Sequence, residues 1–177
     1  MECPLQANSS EGPLPYHMFY QVNEMYEQVQ EILTSPGYDC SECPTVKKIV
    51  HWVNKHIHYR TDISNFGIVD YWQLPVETLT LGSGDCDCLA FLTASMLEAA
   101  GIMTRVCMGN SDFGYHMWCE CVDDDGEWLL IETTNGKIYP WENRSKMHYY
   151  PDIYINPAGC SPPEDTIITE GIEGYDY

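Results

Sequence analysis

Positive charge is what this chain has least of. Its 177 residues carry 8 Lys and Arg against 27 Asp and Glu, a formal charge of −19. Nucleic acids and anionic membranes both demand a basic face, so neither is expected as a partner. Long hydrophobic runs are missing too. No stretch approaches the roughly 20 apolar residues that span a bilayer. The opening MECPLQANSSEG has neither a basic n-region nor an apolar h-region, so no signal peptide is expected. The nine cysteines are odd in number and cannot all pair internally. Cys86/Cys88 and Cys119/Cys121 sit two apart on a helix and a strand, spacings that suit no disulfide within either pair. A reducing, cytoplasmic home with free thiols is expected; an extracellular one is the alternative if a leader has been removed.

What the chain does have is a core. Apolar residues make up 44% and aromatics 12%, enough for one globular domain. Residues 1–15 are polar and Pro-bearing and read as a loose arm, 16–158 as the domain, and 159–177 as an acidic tail. YQVNEMYEQVQEIL, from Tyr20 to Leu33, places Val22, Met25, Tyr26, Val29 and Ile32 at helical spacing. TVKKIVHWVNKHIHY repeats the pattern with Val46, Ile49, Val50, Val53 and Ile57. A loop follows with a short helical piece near its end, Pro75 suiting a first turn. CDCLAFLTASMLEAAG is a helix buried on most sides, with Ser83 or Asp85 as cap and Gly101 as stop. MTRVCMGN, GYHMWCECV, GEWLLIETT and DIYINP read as strands. Helices first and antiparallel strands after is the α+β pattern.

The chemistry gathers at LGSGDCDCLAF, residues 81–91. A cysteine in the first turn of a helix meets free backbone N–H groups and the positive end of the dipole, which favour a thiolate. The same N–H groups can hold an oxyanion. The flanking aspartates oppose ionisation, so Cys86 needs a base. His116 is the candidate, sharing a strand face with Trp118, Glu120 and Val122, opposite Met117, Cys119 and Cys121. The turn after that strand decides the rest. A three-residue loop of Asp124, Asp125 and Gly126 sets Asp123 opposite Glu127, Trp118 opposite Glu132, and His116 diagonal to Glu132 on the same face. A two-residue Asp125–Gly126 turn would put the two on opposite faces.

GDC opening an Ala/Leu-rich helix that ends AAGI.TRV, then H.W.E...DGEW..IE.T, resembles the transglutaminase-like cysteine peptidase superfamily over residues 45–135. IVHWVNKHIHYRTD and YWQLPVETL look like its preceding helix and pre-nucleophile segment. The resemblance implies a papain-like core, with the nucleophile helix packed on an antiparallel sheet. It implies Cys86 as nucleophile, His116 as general base and acid, and Glu132 as the orienting acid, where the family usually has Asp. Relatives complete the oxyanion hole with an upstream Trp or Gln, which makes Trp72 and Gln73 the candidates. Periplasmic relatives bind calcium through an acidic run after the nucleophile. Asp85 and Asp87 stand here, but Cys88 breaks the run, and no metal or cofactor is expected.

The expected activity is hydrolysis of a peptide or isopeptide bond in a polypeptide or amide substrate, through a thioester. Acyl transfer from glutamine to an amine, and a non-catalytic binding module, are the alternatives. Cys88 points away from the site and reads as packing. Cys40 and Cys43 have the spacing of half a zinc site, without two further ligands. His51, His56 and His58 read as surface residues.

Overall fold

The computed structural model describes residues 6–35 and 45–163. Its centre is α5 (Cys86–Ala99), in which every residue from Cys88 to Leu97 is buried. A helix apolar all round must be covered all round. On one side α5 meets α1 (Tyr26–Thr34), α2 (Thr45–His56) and α4 (Pro75–Leu81); on the other it meets β5 (Thr104–Ser111) and β6 (Gly114–Val122). The predicted stripes supply the cover: Val29 and Ile32 of α1, and Val46, Ile49, Val50 and Val53 of α2, are buried in the same cluster as Leu89, Leu92, Met96 and Leu97.

Among the described residues the sheet has six antiparallel strands in the order β10 (Gly159–Ser161), β9 (Tyr150–Asn156), β5, β6, β7 (Trp128–Glu132), β8 (Lys137–Pro140). Its α5 face carries Val106, Met117, Cys119, Cys121 and Ile131. There the Cys119 thiol donates to the Ala90 carbonyl at 3.1 Å. The opposite face buries Cys107, Trp118, Leu130, Tyr149 and Tyr154. The α+β class, with the helix that begins at Cys86 packed on an antiparallel sheet, is therefore the fold observed.

Several boundaries differ from the sequence reading. Residues 20–25 do not join α1. They lie around a 3-10 turn, Asn23–Met25, because tertiary contacts claim the segment. The Tyr20 hydroxyl donates to the Ile155 carbonyl and accepts from Val106 N–H, while Gln21 N–H donates to Ser95 Oγ. The arm read as loose holds a hairpin, β1 (Gln6–Ser9) and β2 (Gly12–Pro15), fastened by Trp72 N–H to the Asn8 carbonyl at 3.0 Å. Gly159–Ser161, assigned to the tail, complete the sheet edge. Of the cysteines, 86, 88, 107, 119 and 121 are free thiols, but Cys160 is disulfide-bonded. The expectation of thiols alone fails at that residue, and with it one support for a reducing compartment. Cys40 and Cys43 lie outside the described residues. None of the described helices is long and apolar enough to cross a membrane.

Candidate active site

Three local devices set the site. The first delivers Cys86. Ser83–Gly84 (β4) pairs in parallel with His58–Tyr59 (β3), pinning the residues before α5 to the end of α2. Gly84 is required by crowding, since a Cβ there would lie 2.5 Å from Cys88 Cβ and 3.2 Å from Gln73 Oε1. Asp85 occupies the N-cap position but makes no side-chain cap bond.

The second device is the β6–β7 turn. Asp123 N–H donates to the Glu127 carbonyl at 2.9 Å, Asp123 Oδ1 accepts the Asp125 and Glu127 N–H groups, and Gly126 sits at φ +85°. This is the three-residue loop. Its register puts Cys119 opposite Ile131 and Glu120 opposite Leu130, which carries Trp118 to Glu132. His116 Nε2 and Glu132 Oε2 are 2.9 Å apart, with His116 7% and Glu132 1% exposed. A carboxylate can only accept, so Nε2 carries the proton in this contact and Nδ1 is the unprotonated nitrogen of the neutral ring.

The third device is where β7 stops. Odd-numbered residues of β6 direct their N–H groups toward β7, as Asp123 does. β7 ends at Glu132, so Met117 N–H has no ladder partner there; it reaches the Cys86 sulfur, as does Asp87 N–H. The sulfur thus approaches the free edge of β6 beside His116. Cys86 and His116 line the same two cavities, of about 310 and 470 Å³.

Electrostatics at the sulfur go against the simple helix-dipole expectation. Burial first, then Asp87 and Asp85, push the Cys86 thiol up to about 12, outweighing the Met117 and Asp87 N–H groups. At neutral pH the resting group is a thiol. For Glu132, burial alone would push the carboxyl up. Hydrogen bonds from His116, Thr134 and Tyr149 reverse this and hold it below its ordinary value. Thr134 N–H and Oγ1 donate to Oε1 at 2.9 and 2.6 Å, and the Tyr149 hydroxyl donates to Oε2 at 2.7 Å. Neither residue is singled out by sequence reasoning. Thr134 was within reach as an i+2 donor after Glu132; Tyr149 arrives from a distant segment and leaves no local signal.

Trp72 lines the Cys86 cavity, with its indole N–H donated to Asp70 Oδ1 at 3.1 Å. Gln73 does not line it; it is 1% exposed and borders a different cavity with Phe66 and Tyr71. Cys88 is buried beside Gln73 and Gly84, as packing. His51, His56 and His58 are exposed. Beside Cys86, the residues Asp62, Asp85 and Cys88 bring their ligand atoms within 4.8 Å of one another. The Asp85 carboxyl is within hydrogen-bonding reach of Asp62 and Asp87. Burial raises Asp62 from 3.8 to about 6 and raises Asp87 strongly.

The sequence model of the transglutaminase-like superfamily matches residues 27–133. No curated protein matches the chain. Among solved structures, calcium-bound LapG of Legionella pneumophila is similar with a TM-score of 0.60 at 22% identity, over 84% of each chain. A putative cysteine protease from Cytophaga hutchinsonii superposes with a TM-score of 0.50 at 18% identity, over 68% of this chain and 41% of that one. At these identities the likeness is one of fold.

Proposed function

The chain belongs to the transglutaminase-like superfamily, and we propose that within it this protein is a cysteine hydrolase cleaving peptide or isopeptide bonds through Cys86, His116 and Glu132. One observation carries the reading: the 2.9 Å contact of His116 Nε2 with Glu132, on an imidazole that shares two cavities with Cys86. A thiol held up at about 12 cannot attack as it stands. Its proton passes to His116 Nδ1, and the imidazolium is stabilised by Glu132, whose carboxyl is held ionised by four donors. The thiolate adds to the amide carbonyl, with the backbone N–H groups at the α5 N-terminus facing the oxyanion. His116 returns the proton to the departing amine, leaving a thioester. Water, deprotonated by His116, then releases the acid and restores the thiol.

The calcium of the LapG structure raises the question of a metal here. Asp62, Asp85 and Asp87 each leave a buried Oδ1 with no donor among the described residues, which suits a divalent cation. Cys88, however, fills a place where calcium takes oxygen, and a thiol suits a borderline ion such as zinc. The set does not fit calcium, and no step above runs through a metal.

Iodoacetamide mapping by mass spectrometry tests the reading. Near neutral pH, Cys86→Ala abolishes labelling and hydrolysis, while Cys88→Ala leaves both. In His116→Ala the labelling of Cys86 falls by about 10²–10⁴-fold and recovers only as pH climbs toward about 12. A His116→Ala protein that labels as fast as the wild type would remove the base from the scheme.

A further inference from the structure

The two cavities that meet at Cys86 differ in charge. The larger, about 470 Å³, is walled by Tyr59, Phe113, Tyr115 and Thr134 besides Cys86 and His116, and among the described residues no carboxylate lines it. The smaller, about 310 Å³, is walled by Asp70, Asp85 and Asp87 with the aromatic rings of Tyr16, Trp72 and Tyr115, and among the described residues no Lys or Arg lines it. Tyr16 stacks on Trp72 at 4.6 Å, giving this side a flat aromatic wall. Asp70 is exposed at the mouth, and its Oδ1 accepts the Trp72 indole N–H, which fixes the carboxylate beside that wall. Asp87 is 6% exposed, with Oδ1 lacking a donor among the described residues. Carboxylates and aromatic faces in one concave site are what an organic cation seeks.

We propose that the Trp72-side cavity is a specificity subsite for a basic side chain, an ammonium or guanidinium, of a polypeptide substrate whose scissile amide lies at Cys86. The proposal rests on the hydrolase reading for its purpose, though not for the binding itself. The chain's charge of −19 attracts such a substrate from a distance.

The test uses the full chain, treated with chelator so that no divalent ion competes at Asp62, Asp85 and Cys88. Nα-acetyl-lysine methylamide and its norleucine counterpart, alike but for the ammonium, are titrated while the Trp72 indole N–H resonance is followed. The lysine compound should shift that resonance at about tenfold lower concentration, the scale of one charge-assisted contact with cation–π support. Asp70→Asn should erase the difference, because Asn still accepts the indole N–H but carries no charge. Asp70→Glu should preserve it. Equal responses to the two compounds, no response to either, or discrimination that survives Asp70→Asn would each overturn the subsite. A neutral methanethiosulfonate applied to the same samples separates the two readings. If it fails to modify Cys86 while the titration succeeds, the cation subsite stands and the hydrolase reading falls.

Discussion

Two buried carboxylates flank the site, and they behave in opposite ways. Glu132 is 1% exposed and Asp62 2%. Yet Glu132 is held below its ordinary pKa and Asp62 is raised from 3.8 to about 6. Burial pushes both up. What separates them is the supply of donors: Glu132 receives the His116 ring, the Tyr149 hydroxyl and both Thr134 groups. Asp62 accepts Tyr71 N–H at 2.7 Å, faces Asp85, and has no donor to its other oxygen among the described residues. A buried charge is set by its partners rather than its depth. One region is built to hold a negative charge; the other is built of negative charges that want a proton or a cation.

Removing each charge in turn should give effects of opposite sign. Glu132→Gln is expected to have the largest effect, a loss of about 3–5 kcal/mol in chemical unfolding near neutral pH, the scale of breaking a buried pair. Because the folded pKa of Glu132 is depressed, its contribution is present above the ordinary carboxylate value and lost as pH falls through the folded one. The gap between variant and wild type should therefore close in acid. If Glu132→Gln proves neutral at pH 7, the donors do not outweigh burial.

Asp62→Asn should do the reverse, stabilising the protein near neutral pH. The shift from 3.8 to about 6 corresponds to roughly 2–3 kcal/mol at 1.36 kcal/mol per unit. A raised carboxyl costs stability as pH rises from the unfolded to the folded value, so this gain should vanish below about pH 4. Destabilisation by Asp62→Asn instead, reversed by chelator, would show that a metal holds the cluster together.

Tyr149→Phe should be the smallest change. It removes one donor from Glu132 and leaves the ring packed against Trp118, whose centroid is 5.0 Å away. About 1.5–3 kcal/mol is expected from a hydrogen bond to a charged group. The acid limb of the Cys86 labelling profile should move up in pH, since Glu132 ionises less readily with one donor fewer. A thermal shift with an unmoved profile would make Tyr149 merely structural.

Much of this was legible beforehand because it is local. Helical spacing located α2 and α5, and Pro75 and Gly101 marked a start and a stop. The Asp-Asp-Gly turn contained the register of β6 on β7, and through it the His116–Glu132 contact. Where reading failed, distant contacts had overridden local preference. The segment from Tyr20 to Met25 has helical periodicity but is held in place by Ile155, Val106 and Ser95. At Cys86 the order of residues shows the helix N–H groups opposed by two aspartates; burial, which only packing supplies, is the largest influence and holds the group as a thiol.

What the amino-acid order determined alone is the helices α1, α2, α4 and α5, the strands β5, β6, β7 and β9, and a choice of two turns between β6 and β7, one of which brings Glu132 to His116. Those depend on neighbours within a few residues, where geometry is nearly independent of the rest of the chain. The tertiary structure alone decided the protonation of each group, the arrival of Tyr149 at Glu132, and the gathering of Asp70, Asp85 and Asp87 around one cavity. Charge states depend on solvent exclusion and on every partner within a few ångströms, and those are assembled only when distant segments pack.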